Sequence, residues 1–515
     1  MRAMVSTLAA ASPAASITGS RWPGQLAAVD MGSNSFRLEI GQLHQGRYRR
    51  IDYLKETVRL GAGLDDKGLL TEEAAARGLA CLARFAQRLQ GFVPSQVRAV
   101  ATQTLREARN RDAFLARATT VLGQPIEVIS GREEARLIYA GVARLQPSEH
   151  ARLVVDIGGR STEMILGRGR MPLRAESFQV GSVSLSMKYF GEGRFTEAAF
   201  RAAQVAAGAE LEEALEPFAP AHWIEALGSS GTVGAVSQLL SASNVTDGRI
   251  TPMGLRWLME QCLRAGRVEK LSLPGLKDDR RAVIAGGLAI LYTLAMHFGI
   301  DALSPARGAL RQGVIFDLDE RLAAAQATDG HDIRDASVRE LQRRFKVDAE
   351  QAGRVGELAQ TMYDSVQSRA AHDARRELGW ACALHEMGMV VSHHDHHRHS
   401  AYLVANVDAP GFSQSQQRRL AALVLAQRGG LRKVEGSLVQ DEFAWQTLCL
   451  RLAIIVCHAR GEVESDALTL RRAGGMATLT VPPTWVETHP RTVHLLSEEA
   501  AAWERGGPLM LALKA

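Results

Sequence analysis

Cysteine is scarce in this sequence, and none of its five cysteines forms a Cys-x-x-Cys pair. Disulfide frameworks and structural zinc sites need cysteines at close, regular spacing, so the pattern argues against both and indicates a reducing compartment. We therefore expect a cytoplasmic protein. The five residues are Cys81, Cys262, Cys382, Cys449 and Cys457.

Long apolar runs are also missing. No window approaches the roughly 18 uninterrupted apolar residues that a membrane-spanning helix needs, so we expect no integral membrane segment, while peripheral membrane association stays open. Residues 1–20 are rich in alanine and serine, and serine or proline interrupts every apolar run, which argues against a cleaved signal peptide. We predict that residues 1–24 form a disordered tail.

Neither sign of charge is in strong excess. The formal net charge is +5, with 46% hydrophobic and 23% charged residues, which is ordinary for a soluble globular protein. This balance allows an anionic partner without requiring one, and we expect no nucleic-acid partner. A chain of 515 residues is too long for a single core, and its size favours three or four domains.

One short pattern of strand, aspartate, glycine-rich loop and strand occurs twice, at 27–37 and at 153–163. Asp30 and Asp156 occupy the same place in the two copies. Glycine lets backbone N–H groups approach a ligand closely, and serine and threonine hydroxyls donate hydrogen bonds, so two such loops can hold phosphate between them. A plain hairpin whose aspartate caps a turn is the alternative. The repetition favours an internal duplication around a phosphate cleft.

Strand and helix patterns alternate from residue 26 to about 320, which indicates an α/β layer arrangement. We predict two lobes, at 25–137 and at 138–320. Beyond this region amphipathic helices replace the strands, so we predict an all-α domain at 321–455. A hairpin pattern around Gly474-Gly475 predicts a small α+β domain at 456–515.

Two pairs of acids could carry chemistry. Asp156 and Glu163 flank the second loop, and Mg²⁺ prefers one or two carboxylates together with phosphate oxygens and water. Glu133 and Glu134 begin a helix, where acids often only complement the helix dipole. Adjacent helical positions point about 100° apart. At most one of this pair can therefore face a cleft and act on water as a general base.

Other candidates carry weaker signals. Arg106 could bridge phosphate oxygens with its planar guanidinium or be a surface charge. Gly231-Thr232 follow a strand in a pattern common to many α/β loops. The histidine run 393–399, with His385-Glu386 upstream, admits a metal site, but its dense polarity favours a solvated or polyanion-facing loop.

Taken in order, these motifs resemble the exopolyphosphatase/guanosine pentaphosphate phosphatase family in its long, four-domain form. The resemblance implies two duplicated actin-like lobes of the sugar kinase/Hsp70 type, then an HD-like helical domain with a degenerate metal site and a small α+β C-terminal domain. It rests on the segments 28–36, 101–106, 129–135, 156–163 and 228–232, and further along the chain on 397–402, Asn406 and 410–412.

The resemblance also implies an activity and a set of site residues. The activity is processive hydrolysis of the terminal phosphoanhydride of polyphosphate, with release of orthophosphate, Mg²⁺ as cofactor and usually a homodimer. By position, Glu134 matches the catalytic glutamate that activates water, while Asp156 and Glu163 match the acidic metal pair. The residues that match phosphate-contacting loops are Ser33, Asn34, Ser35, Arg106, Gly158, Gly159, Ser161, Thr162, Gly231 and Thr232.

The sequence departs from the family pattern at two places. Arg160 stands where the family usually has a third glycine, and the segment 307–313 has Arg307 and Gln312 where the family usually has acids. Arg160 adds a Cβ atom and a positive charge where the backbone should approach phosphate closely. We expect it either to grip phosphate or to obstruct it.

Several functions compete. Exopolyphosphatase activity is the leading hypothesis, and hydrolysis of guanosine pentaphosphate (pppGpp) to the tetraphosphate is the close alternative. A phosphate- or nucleotide-binding sensor without turnover is a further alternative. In that case Arg160 would make the phosphate loop unable to support hydrolysis. A sugar or acetate kinase on the same fold is disfavoured, because the chain supplies a hydrolytic acid and no evident acceptor-sugar signature.

Overall fold

The computed structural model describes residues 21–44, 46–326, 332–367, 372–462 and 468–514. The chain divides into two compact units, Met1–Ala323 and Ala324–Ala515, and each is described by itself. Most of the predicted tail at 1–24 lies outside the described residues.

The strands of the first unit form two sheets, one in each lobe of the unit. Lobe I holds β1 (Gln25–Met31), β2 (Phe36–His44), β3 (Arg47–Glu56), β4 (Val97–Ala101) and β5 (Ile126–Val128). Lobe II holds β6 (Ala151–Ile157), β7 (Thr162–Arg168), β8 (Met171–Phe178), β9 (Glu225–Ser229) and β10 (Leu303–Pro305).

The two sheets share one topology. The strand order is β3-β2-β1-β4-β5 in lobe I and, read in the same sense, β8-β7-β6-β9-β10 in lobe II. In each sheet the central strand, β1 or β6, pairs antiparallel with the next strand and parallel with the strand on its other side. The predicted internal duplication is therefore present in the fold.

Helices cover these sheets. They are α1 (Glu72–Arg88), α2 (Gln103–Glu107), α3 (Arg111–Leu122), α4 (Gly131–Leu145), α5 (Ser182–Phe190), α6 (Glu197–Leu211), α7 (Ser230–Ala242), α8 (Pro252–Ala265), α9 (Asp278–Arg281), α10 (Ile284–His297) and α11 (Leu310–Gln326). The predicted boundary between residues 137 and 138 falls inside α4.

After Arg106 the sequence predicts a helix that runs to Arg117, but the structure has two helices here, α2 at 103–107 and α3 at 111–122. The break is stabilised by Asn110, whose side chain accepts a hydrogen bond from the N–H of Leu70 at 2.9 Å and donates one to its carbonyl at 3.0 Å. An asparagine that bonds distant backbone in this way favours an irregular backbone over a helix.

The glycine pair inside α10 allows close packing. A Cβ atom on Gly286 would lie 2.4 Å from the carbonyl oxygen of Ser182, and one on Gly287 would lie 2.5 Å from Cγ2 of Thr232. Both distances are far below van der Waals contact, so only glycine lets α10 pack behind these two residues.

The second unit surrounds a small sheet with helices. The helices are α12 (Ile333–Arg344), α13 (Ala349–Val366), α14 (His372–Leu384), α15 (His396–Asn406), α16 (Gln414–Ala426), α17 (Glu435–Leu438), α18 (Asp441–Val456), α19 (Pro483–Thr488) and α20 (Pro490–Gly506). The strands are β11 (Thr469–Ala473), β12 (Met476–Thr480) and β13 (Met510–Lys514). The predicted hairpin is confirmed, since β11 and β12 pair antiparallel around Gly474-Gly475.

One hydrophobic core runs through the whole second unit. Val355 of α13, Trp445 of α18, Leu470 of β11 and Trp503 of α20 are buried in the same cluster. The sequence prediction separates 321–455 from 456–515, whereas the structure packs residues of both segments around this shared core. No helix in the described part of the chain is both long and apolar enough to cross a membrane.

The histidine run lies in the second unit, and the prediction of a solvated or polyanion-facing loop holds only for its beginning, where His393 and His394 are exposed and non-helical. His396 to His399 belong to the first turns of α15, and the side chains of His396 and His397 are buried. Upstream, Glu386 forms an ion pair with Arg460. Within the described residues, no group of three or more histidine, cysteine, aspartate or glutamate side chains is arranged to hold a metal ion.

Candidate active site

A cavity of about 420 Å³ opens between the two lobes of the first unit. The loop after β1 and the loop after β6 face each other across it, as the duplicated pattern predicted. The predicted site residues that line it are Ser33, Asn34, Ser35, Glu134, Asp156, Gly158, Gly159, Ser161, Gly231 and Thr232.

The loop of lobe I is held by backbone contacts that leave one hydroxyl free. The carbonyl of Ser33 accepts a hydrogen bond from Gly61 at 2.8 Å, and its hydroxyl accepts one from Thr104 at 2.8 Å. The buried hydroxyl of Ser35 has no hydrogen-bond partner among the described residues. A buried hydroxyl without a partner is costly, and a phosphate oxygen in the cavity would supply the missing partner.

The loop of lobe II requires its glycines. The N–H of Gly158 donates to the carbonyl of Ser161 at 2.9 Å, and a Cβ atom on Gly158 would lie 3.0 Å from that same oxygen. A Cβ atom on Gly159 would lie 3.1 Å from Cβ of Ser33 in the opposite loop. A larger residue at position 158 would therefore crowd its own loop, and one at position 159 would push the two loops apart.

Gly231 and Thr232 reach the cavity from a helix and not from the predicted loop. The helix α7 begins at Ser230, directly after β9, so both residues lie in its first turn. Free backbone N–H groups at a helix N-terminus favour anions. The hydroxyl of Thr232 donates to the carbonyl of Ile157 at 3.1 Å, which fixes this turn against β6.

Adjacent acids at the start of α4 separate as helical geometry predicts. The hydroxyl of Ser130 accepts a hydrogen bond from the N–H of Glu133 and starts the helix. The carboxylate of Glu133 turns away from the cavity and binds Arg136 at 2.7 Å. Glu134 lines the cavity and accepts a hydrogen bond from Arg106 at 2.8 Å. Only Glu134 of this pair is placed to act on a bound substrate.

Three predicted site residues lie behind the cavity surface. Arg106 donates to Glu134 and to the carbonyl of Ile129 at 3.0 Å, so its guanidinium is engaged by protein groups. The hydroxyl of Thr162 donates to the carbonyl of Val180 at 2.6 Å, which makes it a support of the loop. Glu163 is buried and accepts a hydrogen bond from the hydroxyl of Ser177 at 2.8 Å.

The two copies of the pattern diverge at one position beside the aspartate. In lobe I the residue across the strand pair from Asp30 is Arg37, and their side chains form an ion pair at 3.2 Å. In lobe II the corresponding residue across from Asp156 is Glu163. Residues directly opposite in an antiparallel pair lie side by side on one face of the sheet. Lobe I therefore carries a neutralised pair, and lobe II carries two acids.

Burial and mutual repulsion perturb this group of acids. Burial, opposed by Arg106 and reinforced by the charges of Asp156 and Asp30, raises the pKa of Glu134 to about 7. Burial also raises the pKa of Asp156, and burial together with Glu134 and Asp156 raises the pKa of Glu163. Among the described residues, no cation lies within 4.0 Å of the carboxylate of Asp156 or Glu163. The donor set fits a hard divalent cation such as Mg²⁺, which would relieve the repulsion.

We expect Glu134→Gln to stabilise the metal-free protein at alkaline pH. Because the folded-state pKa of about 7 exceeds the ordinary value of 4.5, the folded state binds more protons, and the contribution of Glu134 to stability is lost as pH rises through 7. A rise of this size in the pKa corresponds to an effect on the free energy of unfolding on the order of a few kcal/mol. Urea unfolding with a chelator, at about pH 5 and about pH 8, measures the free energy of unfolding of both proteins. The variant should be more stable relative to the parent at the higher pH than at the lower pH. Equal gains at both pH values would contradict the assignment.

Sequence reasoning missed the positive side of the cavity. Arg37, Lys55 and Arg280 line it, and they come from β2, β3 and α9. Burial and Arg37 lower the pKa of Arg280, while burial and Arg280 lower the pKa of Lys55. Lys55 is paired with Asp279 at 3.2 Å, but no carboxylate among the described residues lies within 4.0 Å of the Arg280 guanidinium. An anion in the cavity would neutralise this repulsion.

Gln312, part of the second departure from the family pattern, is compatible with the residues around it. Gln312 donates to the carboxylate of Glu39 at 2.6 Å, and Arg311 contacts the same carboxylate at 3.2 Å. An acid at position 312 would face Glu39 at this distance and repel it. The glutamine is therefore the side chain that fits beside Glu39.

The side chain of Arg160 neither enters the cavity nor closes it. Its guanidinium lies 2.6 Å from the carboxylate of Glu107 and donates to the carbonyl of Gly61 at 3.2 Å. Both partners belong to lobe I, whereas Arg160 belongs to the loop of lobe II. The expectation that Arg160 grips or obstructs phosphate is not met in this structure, because the side chain is occupied in a bridge between the lobes.

The two duplicated lobes enclose a cleft lined by acids, cations and glycine-rich loops, an arrangement that is typical of enzymes that act on phosphate groups. A sequence model described as the Ppx/GppA phosphatase family matches residues 40–322, and a second, described as domain III of Ppx/GppA phosphatases, matches residues 333–500. The chain belongs to the Ppx/GppA phosphatase family. It is a hydrolase of phosphoanhydride bonds.

Several solved structures are similar to part of this chain. An exopolyphosphatase from Cytophaga hutchinsonii is 24% identical, with a TM-score of 0.53 over 57% of this chain and 98% of that chain. An exopolyphosphatase-like protein is 23% identical, with a TM-score of 0.52 over 58% and 98%. The PPX-GPPA enzyme of Aquifex aeolicus is 26% identical, with a TM-score of 0.48 over 56% and 98%. The first two show the fold, and the predicted α/β class with two duplicated lobes is confirmed.

Proposed function

We propose that this protein is a Mg²⁺-dependent exopolyphosphatase that removes the terminal phosphate of inorganic polyphosphate, processively, with Glu134 as the general base. One observation carries the proposal. Glu134 is the cavity-lining acid held by Arg106, and it shares the cavity with two phosphate-loop walls and with Arg280, whose guanidinium has no carboxylate of the described residues within 4.0 Å. A base with a pKa of about 7 is suited to take a proton near neutral pH.

The cavity supports an ordered sequence of events. The hydroxyl of Ser35, the amide of Gly159 and the guanidinium of Arg280 bind oxygens of the terminal and penultimate phosphates. Glu134 then accepts a proton from a water molecule, whose oxygen forms a bond to the terminal phosphorus. The bond from that phosphorus to the bridging oxygen breaks, and the shortened chain and orthophosphate leave. When bound by Asp156 and Glu163, Mg²⁺ would neutralise phosphate charge.

The environment of Tyr53 favours polyphosphate over guanosine pentaphosphate. Tyr53 is the aromatic side chain among the described residues that line the cavity. The guanidinium carbons of Arg50 and Arg311 lie 5.4 and 5.3 Å from its ring centroid. Cation–π contacts of this kind occupy the ring, so it is not free to stack on a guanine base. A chain of phosphates needs no such stacking.

Side-by-side kinetics on the two substrates test the proposal. With Mg²⁺ present, we expect kcat/KM for phosphate release to be higher with polyphosphate than with guanosine pentaphosphate. The reverse ranking would make guanosine pentaphosphate the substrate. Binding of polyphosphate with release no faster than in Glu134→Gln would favour the sensor. Addition of a chelator should stop release, and restoring Mg²⁺ should return it.

Assembly and location belong to the same proposal. We propose a cytoplasmic homodimer, as the family resemblance implies, whose partners are polyphosphate and Mg²⁺. Light scattering of the purified protein measures the mass directly, and a mass near 55.8 kDa would show a monomer instead. Cell fractionation would separate a cytoplasmic pool from a peripherally membrane-associated one.

We expect Arg280→Ala to raise KM for polyphosphate by roughly 10- to 100-fold, with a smaller change in kcat. Hydrogen bonds to charged groups contribute about 1.5–3 kcal/mol, and Arg280 lacks a carboxylate partner that would compete with the substrate. Arg249→Ala is the matched control, because that arginine is exposed and paired with Asp247 outside the cavity. Steady-state kinetics at fixed ionic strength measure the effect, and an unchanged KM would remove Arg280 from the substrate site.

A further inference from the structure

A continuous chain of hydrogen bonds connects Arg160 to the proposed base. Nε of Arg160 donates to Glu107 at 2.9 Å, and the other carboxylate oxygen of Glu107 accepts from the amide of Gln103 at 2.6 Å. The amide oxygen of Gln103 accepts from Nε of Arg106 at 2.8 Å and from Nη2 at 2.6 Å. Nη1 of Arg106 donates to Glu134 at 2.8 Å. The loop of lobe II is thus linked through α2 to the acid on α4.

The charges along this chain alternate and are matched. Arg160 neutralises Glu107, and Arg106 is left to neutralise Glu134. The side chains of Arg106 and Glu134 are only 11% and 9% exposed, so water screens their interaction weakly. Arg160 and Glu107 lie nearer the surface, at 23% and 27%. Gln103 is buried and contacts both halves of the chain, which ties the two ion pairs together.

We propose that Arg160 is a positioning residue that engages Glu107 and so keeps Arg106 directed at Glu134. This inference rests on the proposed function, in which Glu134 activates water. Glu107 and Arg106 are neighbours on α2 and share Gln103. Without Arg160, the carboxylate of Glu107 lacks its cation and competes with Glu134 for the guanidinium of Arg106. The base would then lose the hydrogen bond that fixes its carboxylate.

The same side chain also ties the two phosphate loops together. The carbonyl of Gly61 accepts from Arg160 at 3.2 Å, and the N–H of Gly61 donates to the carbonyl of Ser33 at 2.8 Å. A purely structural bridge would act through this second route, by letting the loops separate. Loss of the loop geometry would weaken substrate binding, whereas loss of base positioning would slow the chemical step.

A double-mutant cycle separates these two routes. The variants are Arg160→Ala, Glu107→Gln and the double Arg160→Ala/Glu107→Gln, with Arg160→Lys as the conservative change. Arg117→Ala is the matched control, because Arg117 forms a bidentate pair with Glu72 and neither residue lines the cavity. We expect Arg160→Ala to lower kcat about tenfold with KM changed less than about twofold. The double variant should recover most of kcat, because a neutral amide at position 107 does not compete for Arg106, and Arg160→Lys should retain most of it.

Other outcomes overturn the inference. If the double variant is as slow as Arg160→Ala, or if Arg160→Ala raises KM and leaves kcat unchanged, Arg160 does not position the base. If the parent protein releases phosphate from neither substrate, the proposed function fails separately. In that case the coupling between Arg160 and Glu134 is tested by infrared spectroscopy. The carboxylate band of Glu134 is identified by subtracting the spectrum of Glu134→Gln. That band should shift in Arg160→Ala and return in the double variant, and a band unmoved by Arg160→Ala would overturn the coupling.

Discussion

Replacing Glu134 with glutamine is expected to lower kcat for phosphate release from polyphosphate by about 10²- to 10⁴-fold, the usual contribution of a positioned general base. Glutamine keeps the shape of the side chain but cannot accept a proton from water at neutral pH. The change leaves the phosphate loops in place, because the hydrogen bond of the Glu134 carboxylate runs to Arg106 on α2. Substrate affinity should therefore change much less than turnover.

Two measurements test this expectation. Phosphate release under saturating substrate gives kcat, and calorimetric titration with polyphosphate gives Kd for parent and variant. Glu197→Gln is the matched control, since Glu197 is also an acid in the first turn of a helix but is exposed and outside the cavity. Turnover within tenfold of the parent would show that another group activates water, and a lost affinity would show a binding role for Glu134.

The second large effect is expected on stability. Asp317→Asn should lower the free energy of unfolding of the first unit by about 3–5 kcal/mol, the usual result of breaking a buried ion pair from one side. Asp317 on α11 lies 2.6 Å from each of the guanidinium groups of Arg98, Arg136 and Arg321. Although burial opposes ionisation, Arg321, Arg136 and Arg98 hold the pKa of Asp317 well below its usual range. An amide cannot neutralise these cations.

This ion cluster matters to the site because it anchors α4. Arg136 belongs to α4 and binds Glu133 on the same helix, so the face of α4 opposite the cavity is fixed by Asp317. Urea unfolding measures the loss, with Asp319→Asn as control two positions along the same helix. Asp319 is 39% exposed and lies 3.7 Å from Arg144, so its removal should change stability by less than about 1 kcal/mol. A loss for Asp317→Asn no larger than this control would contradict the role of the cluster.

Much of the fold could be predicted because the duplicated pattern is local. Strand, aspartate, glycine and strand follow one another within a few residues, and both copies fold into equivalent central strands. Helical geometry also predicted that Glu133 and Glu134 diverge. It did not predict which of them faces the cavity, because that depends on Arg136 and on Asp317, which lies far along the chain.

The positive side of the site had no comparable local signal. Arg280 sits in the short helix α9 and Lys55 near the end of an edge strand, and nothing in either segment distinguishes them from solvated surface charges. The contacts of the Arg160 side chain also depend on tertiary structure, because its partners, Glu107 and Gly61, come from separate parts of lobe I.

The shared core of the second unit has a consequence for how such a protein can be rearranged. Arg451 of α18 binds Glu499 of α20 at 2.7 Å, and Trp503 of α20 is buried in the same cluster as Trp445. The hairpin and the last helix thus complete the interior of the helices before them. A gene fusion, recombination event or proteolytic cut near residue 456 would expose that interior. In evolution, residues 324–515 would therefore be gained or lost as one module.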